Sequence, residues 1–317
     1  MCATPYFLHD TFAPFESQIR ARFARAVDDT NLNSDDTAEL VIVDKSARLD
    51  QYEAEFGALV NPDRVQITWN GIASLWACGQ GLGRLARRMF EAQRAGAARL
   101  YLDKDPELAK GLYFYELSRR LAKNRFDRWV DWLPFPDATP SQKDDQLGNR
   151  LFFAALGWII RHELAHVELQ HHARIDAESM TRYEAEIEAD KQASKWIKDE
   201  FKADHSRPAT QKPSTDELEL EWRALAAGVW LLWVGLFEEA FHAPSPGYPA
   251  IAERIFGSFD IFDLAEDSFA SEIFSYSVKA WIDPQGDWGV PANLNEATAK
   301  AAFTAAVIRL HRHMGSL

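Results

Sequence analysis

The chain has 317 residues, of which 47% are hydrophobic and 26% are charged, a composition that excludes a disordered or fibrous protein. Its 48 acidic and 35 basic side chains give a net charge of −13, so no nucleic-acid partner is expected, because most of the surface would repel a polyanion. Two cysteines, Cys2 and Cys78, are too few for a disulfide framework and favour a reducing compartment.

The first 130 residues are predicted to form an α/β part. An irregular arm with one short helix near Glu16–Val27 precedes two runs of β-branched residues, Glu39–Val43 and Arg64–Trp69, which predict two strands of one small sheet. Two amphipathic helices are predicted next, at residues 71–94 and 106–125. The glycines of the CGQGLG stretch at 78–83 are interpreted as small residues for helix packing rather than as a phosphate-binding loop.

Prolines and charges cluster at 131–146, which predicts a loop, and beyond it the chain is predicted to be mostly helical. The predicted helices are 147–172, 177–203, 215–242 and 296–314. The whole chain, 1–317, is therefore predicted to be one predominantly helical α+β domain, with catalytic core helices at 147–256 and a C-terminal helical part at 257–317.

No membrane segment is expected from the sequence. The longest uncharged apolar run, Ala224–Phe237, has 14 residues, whereas a spanning helix needs roughly 20. The N-terminal stretch has neither the basic nor the apolar region of a signal peptide. We therefore expect a soluble, cytoplasmic protein without a membrane partner.

The residues that carry chemistry are concentrated in GWIIRHELAHVELQHH, at 157–172, which contains the H-E-x-x-H motif. The uncharged run Leu151–Ile160 before it predicts that the motif lies on a buried helix. Positions i and i+4 share a helix face, so the imidazoles of His162 and His166 can reach one metal ion. Glu163 would project beside them as a general base, the arrangement that metal-assisted hydrolysis requires.

A catalytic zinc ion needs a third protein ligand, and the next helix offers acidic side chains in RYEAEIEADKQAS. Nineteen residues separate His166 from Glu186, enough for the first helix to end and for the chain to return antiparallel. Glu186 and Asp190 are four apart and face the same way. Glu186 is predicted to ligate zinc, and Asp190 to accept a hydrogen bond from the far nitrogen of His162.

Other ionisable residues near the motif have less specific interpretations. Glu184 and Glu188 face away from Glu186 on a helix and are predicted to be exposed to solvent. His171 and His172 end the motif helix, where a positive charge is favourable; lining of the cleft is the alternative.

The pattern H-E-x-x-H followed by Glu186-x-x-x-Asp190 resembles the gluzincin metallopeptidases, and HELAHVELQH with EIEAD resembles their M48 group. That group often carries a later His-Pro-Pro-x-x-x-Arg-Ile segment. Residues 248–255, YPAIAERI, match its first Pro, its Arg and its Ile, but Tyr248 stands in place of the His. The resemblance implies a zincin-like pair of active-site helices, a Zn²⁺ cofactor, an ion pair from Arg254 near the site, and a transition-state donor at Tyr248. His242, at the end of the preceding helix, is the alternative donor.

A soluble chain of about this length with H-E-x-x-H near its middle is similar to the U49 family of phage-exclusion peptidases. The stretch ITWNGIASLWACGQGLG also resembles that family's apolar helix before the catalytic one. Membership implies proteolysis of a host cytoplasmic protein during phage attack.

The sequence therefore predicts a zinc endopeptidase that acts on a protein or peptide substrate. An unregulated cytoplasmic protease would be toxic, so either a narrow substrate fit or an activating peptide or protein is expected, with the 131–146 loop as a candidate gate. The alternatives are a regulatory or sensor protein whose metal site only stabilises the fold, and an interaction module with vestigial activity. The intact Glu163 argues against a structural site, which has no use for a general base.

Overall fold

The computed structural model describes residues 7–30, 38–44, 56–59, 63–96, 99–100, 105–123, 129, 134–205, 216–241, 247–282, 290–291 and 297–315. Their helices are α1 (Leu8–Asp28), α2 (Trp69–Arg94), α3 (Pro106–Lys123), α4 (Lys143–Glu168), α5 (His171–Asp176), α6 (Arg182–His205), α7 (Asp216–Phe241), α8 (Ile251–Phe262), α9 (Phe269–Ile282) and α10 (Ala299–Met314). Their strands are β1 (Glu39–Val43), β2 (Phe56–Leu59), β3 (Arg64–Thr68), β4 (Arg99–Leu100) and β5 (Val290–Pro291). This part of the chain is predominantly helical with a small sheet, in agreement with the predicted α+β class.

The three-stranded sheet has the order β1-β3-β2. Strands β1 and β3, both predicted, pair in parallel, and β2 pairs with β3 in antiparallel register, with Ala58 opposite Val65. Strand β2 was not predicted because its sequence, FGAL, has no β-branched residue. Its position leaves β2 at an edge of the sheet. A second pair, β4 and β5, is antiparallel.

Helix α2 follows β3 without a loop. The hydroxyl oxygen of Thr68, the last residue of β3, accepts a hydrogen bond from the backbone N–H of Gly71 at 3.0 Å. A threonine oxygen bound to the third amide of a helix is a typical N-terminal cap. The helix therefore begins at Trp69, two residues before the predicted start.

Helix α4 lies at the centre of the molecule, where α1, α2, α6 and α7 pack around it. Every residue in 151–167 is buried except Ala154. An apolar sequence on all sides of a helix predicts this position, because no face of the helix is suited to water. The motif helix is therefore buried, as predicted.

Helices α4 and α6 pack antiparallel. Trp158 contacts Ser194, and His162 contacts Asp190, so a step of four residues forward on α4 is a step of four back on α6. Small residues keep the helices close, since Ala165 and Ala189 are fully buried in one cluster. This pairing brings the acidic residues of α6 to the motif face of α4.

Helices α2 and α4 approach closely through glycines. A Cβ added to Gly83 would lie 2.8 Å from the backbone nitrogen of Gly148, and one added to Gly79 would lie 2.9 Å from the oxygen of Gly148. Both distances are shorter than real Cβ contacts allow. The glycines at 78–83 therefore serve helix packing, as the sequence interpretation holds.

Several element boundaries differ from the predictions. Helix α1 begins at Leu8 rather than near Glu16, since burial of Phe12 and Phe15 offsets the cost of Pro14 inside the helix. Helix α4 begins at Lys143, inside the predicted loop at 131–146. Helices α8 and α9 occupy a region, 243–295, for which no individual helix was predicted. No described helix is both long enough and apolar enough to cross a membrane.

We expect Gly83→Ala to destabilise the fold, because the new methyl group would meet the backbone of α4. Overpacking of this kind typically costs about 1–3 kcal/mol of unfolding free energy. The matched control is Gly257→Ala in α8, where an added Cβ meets nothing within 4 Å and alanine improves helix propensity. Denaturant unfolding of both variants measures the difference; equal free energies of unfolding would contradict the proposed role of Gly83.

Candidate active site

Three side chains from α4 and α6 point their donor atoms at one place. His162 Nε2 and His166 Nε2 are 3.1 Å apart. Glu186 Oε2 lies 3.5 Å from His162 Nε2, and Glu186 Oε1 lies 3.7 Å from His166 Nε2. Among the described residues, these three form the one group of His, Cys, Asp and Glu side chains close enough to hold a metal ion.

The separations fit a zinc ion. Tetrahedral zinc has bonds of roughly 2.0–2.1 Å to histidine nitrogen, which places neighbouring donor atoms ~3.3 Å apart. The observed separations of 3.1–3.7 Å bracket that value. Two imidazoles and one carboxylate are also the donor set of one class of catalytic zinc sites, which keep a fourth position open for water. The residues present therefore suit a catalytic rather than a structural zinc ion.

Asp190 and Arg254 contact two of these donor residues, His162 and Glu186. Arg254 donates two hydrogen bonds to Asp190, from Nε to Oδ2 at 2.7 Å and from Nη2 to Oδ1 at 2.8 Å. Arg254 Nη2 is also 3.1 Å from Glu186 Oε2. Asp190 Oδ1 lies 2.9 Å from His162 Nδ1, and the two groups form an ion pair when His162 is protonated. The structure thus brings Asp190 and Arg254 to the predicted places.

In the absence of a metal ion, the charged groups of the site shift one another's pKa values. Burial lowers the pKa of His162, but the carboxylates of Asp190 and Glu186 outweigh it and raise the pKa to about 10. Burial and the nearby charge of His162 lower the pKa of His166. Burial opposes ionisation of Glu186, yet Arg254 and His162 hold the pKa of its carboxyl group well below the usual range. Since a ligating imidazole must be neutral, a metal ion would have to displace the proton of His162.

Glu163 is buried, and its side chain faces the sheet. Its Oε2 accepts a hydrogen bond from the backbone N–H of Ala58 in β2 at 2.7 Å. Because one carboxylate oxygen is fixed by a backbone group, the orientation of Glu163 is set by the position of the edge strand. The sequence could not reveal this contact, because every residue except proline offers the same N–H.

His171 and Glu188 differ from their predicted surroundings. His171 is fully buried, with its Nδ1 2.8 Å from His166 Nδ1 and its Nε2 3.2 Å from Glu188 Oε2. Arg174 donates a hydrogen bond to the same oxygen of Glu188 at 2.9 Å. Glu188 keeps 41% of its side-chain surface exposed, in line with the prediction, but a separate helix, α5, also brings His171 and Arg174 to its carboxylate, which the sequence did not predict. Glu184 is exposed, as predicted.

The two candidate donors to a transition state have different outcomes. Tyr248 is half-buried in the turn before α8. His242 lies outside the described residues. The role of Tyr248 therefore stays a prediction.

Comparisons with known proteins point to a family of peptidases. The model of the Peptidase U49 family matches residues 65–274, a segment that includes all the candidate site residues from α4, α6 and α8. A "Cell death peptidase" of Escherichia coli (strain K12) is 25% identical over 210 residues, which cover 65% of this chain and 66% of that protein. The chain thus matches slightly less than two thirds of this curated relative's length. No solved structure matches the chain.

We expect the purified protein to bind about one zinc ion, and His162→Ala or His166→Ala to abolish the binding, because two donors cannot hold the ion tightly. His172→Ala is the matched control, since His172 is the neighbour of His171 but belongs to none of the contacts above. Metal analysis of dialysed protein measures the stoichiometry. Full zinc occupancy in the His162→Ala, His166→Ala double variant would exclude this centre.

Proposed function

Because the chain belongs to the Peptidase U49 family, whose model matches more than half of it, we propose that it is a zinc-dependent endopeptidase. The observation that carries the proposal is the convergence of His162, His166 and Glu186, with the buried Glu163 next to His162 in the H-E-x-x-H motif. The three donors would hold zinc, and the fourth residue would move the proton. Such a pairing is typical of metal-assisted hydrolysis.

A zinc ion held by these donors would supply a Lewis acid that polarises the scissile carbonyl and makes water more acidic. Glu163 would take the proton of the attacking water as the carbon–oxygen bond forms. It would then deliver that proton to the amide nitrogen as the carbon–nitrogen bond breaks. The hydrogen bond from Ala58 to Glu163 Oε2 supports this role, because it holds the carboxylate in one orientation.

The edge strand beside Glu163 favours an extended peptide as substrate. Among the described strands β2 is the last of the sheet, and the N–H of Ala58 is directed at Glu163 rather than at β3. A peptide segment can add to such an edge through backbone hydrogen bonds, which recognise a main chain rather than particular side chains. Side chains around the cleft would then select the sequence.

Tyr248 is the proposed donor to the oxyanion of the tetrahedral intermediate. Its support is its position, half-buried two residues before the N-cap residue of the helix that carries Arg254 to the site. A phenol stays protonated at neutral pH and can donate one hydrogen bond to a developing negative charge.

We propose an intracellular protein as the target, in a cell-killing response such as defence against phage. The name of the Escherichia coli relative, "Cell death peptidase", supports this direction. A narrow substrate fit or an activating peptide would restrain such an enzyme in a healthy cell. We therefore propose a cytoplasmic location, which the low cysteine content of the chain supports.

The experiment is proteomic labelling of new protein N-termini in cells that express either wild type or Glu163→Gln. The amide of glutamine cannot accept the proton, so hydrolysis of a purified substrate should fall by about 10²-fold or more while zinc is retained. Glu184→Gln is the matched control, because Glu184 is exposed on α6 and glutamine can keep its capping contact with Thr181.

New N-termini that appear equally with wild type and with Glu163→Gln would exclude Glu163 as the general base. If the zinc-loaded wild type cleaves nothing in cells undergoing phage attack, the alternative of a structural or vestigial zinc site is the better account.

A further inference from the structure

We propose that His171 is a positioning residue, which fixes the tautomer and the ring orientation of the zinc ligand His166 through a hydrogen bond between their Nδ1 atoms. This inference rests on the proposed function, since it concerns the geometry of the same metal site. The observations that carry it are the Nδ1–Nδ1 distance of 2.8 Å and the complete burial of His171.

Metal ligation by His166 would fix the direction of the hydrogen bonds that link His166, His171 and Glu188. If His166 Nε2 binds the ion, its proton must lie on Nδ1, because a neutral imidazole carries one proton. His166 Nδ1 then donates, so His171 Nδ1 must accept. The proton of His171 therefore lies on Nε2, where Glu188 Oε2, 3.2 Å away, is the acceptor.

The far end of the chain of hydrogen bonds is also held. Arg174 donates to Glu188 Oε2 at 2.9 Å, so the carboxylate stays near His171 although it is partly exposed to water. The order is His166, His171, Glu188 and Arg174. Each metal-binding imidazole thus has its own partner on the side away from the ion: Asp190 contacts His162, and His171 contacts His166.

A strained backbone conformation precedes His171 and brings it next to His166. Gln170, between α4 and α5, adopts a left-handed conformation with φ 52° and ψ 40°. Residues other than glycine are disfavoured in that conformation, because Cβ comes too close to the following carbonyl oxygen. Helix α4 ends at Glu168, four residues before the predicted end at 172, and the strained residue that follows turns the chain so that His171 lies against His166. Strain of this kind collects at functional sites.

A purely structural role for His171, as a satisfied side chain in the core, predicts different behaviour. Its loss would then lower the stability of the metal-free protein and leave the affinity for metal unchanged. A positioning role predicts a change in metal affinity and in the coordination spectrum, because the ring of His166 would no longer be held.

The variants are chosen by which atom replaces Nδ1. In His171→Asn the side-chain oxygen is bonded to Cγ, as Nδ1 is in histidine, and can accept from His166. In His171→Gln the oxygen lies one bond farther out, and in His171→Leu there is no acceptor. His172→Leu is the control, because it alters the neighbouring half-buried histidine.

The measurements use the full chain with Zn²⁺ and with Co²⁺ as a spectroscopic probe. We expect His171→Leu to lower the affinity for both ions by about 10–100-fold and to change the visible absorption spectrum of the Co²⁺ form. His171→Asn should recover most of the affinity and the wild-type spectrum, and His171→Gln should not. Unfolding of each metal-free variant separates these effects from stability.

Wild-type affinity and spectrum in His171→Leu would overturn the inference. If that variant does not fold, the polar pair decides: tighter binding by Asn than by Gln supports the inference, and equal binding overturns it. A wild-type chain that binds neither ion would overturn the proposed function and this inference together. Wild-type binding without any difference among the variants would overturn this inference alone.

Discussion

The burial of the motif side chains His162, Glu163 and His166 on one helix is the constraint on which the rest of the structure depends. Histidine and glutamate in an apolar interior cost several kcal/mol each unless hydrogen bonds or opposite charges compensate them. Helix α4 carries all three in its buried part, so the partners must come from other elements. One or two partner groups come from each of four other elements, namely α5, α6, α8 and β2. Elements separated by up to about two hundred residues of sequence meet there for the same reason.

The partners form one coupled set, in which the loss of a member leaves others uncompensated. Arg254 contacts both Asp190 and Glu186, so its removal would leave one buried and one partly buried carboxylate without their shared cation. In the metal-free protein the proton on His162 compensates the same carboxylates. A metal ion would replace that proton with a larger charge, which explains how one site can be stable in the fold and also suited to binding.

Local patterns predicted most of the centre. The spacing of His162 and His166 and of Glu186 and Asp190 identified shared helix faces, and the intervening length correctly predicted an antiparallel return. Two contacts had no such signal. Ala58 contributes a backbone N–H, which its residue type does not reveal. The contact of His171 depends on the left-handed residue that ends α4, whereas an unbroken helix to residue 172 was predicted. Helices α8 and α9 were not predicted individually; the region 257–317 was predicted only as a helical part, without bounds for its first helices.

The most direct test of the account is X-ray absorption at the zinc edge of the zinc-loaded, full-length protein. Zinc bound by His162, His166 and Glu186 should show two histidine nitrogens at about 2.0–2.1 Å and oxygen ligands at about 2.0–2.2 Å, with no sulfur neighbour. The same measurement on His166→Ala should lose one of the two imidazole contributions or lose the metal. A sulfur shell at about 2.3 Å, or an unchanged spectrum in His166→Ala, would contradict the assignment of the centre to His162, His166 and Glu186.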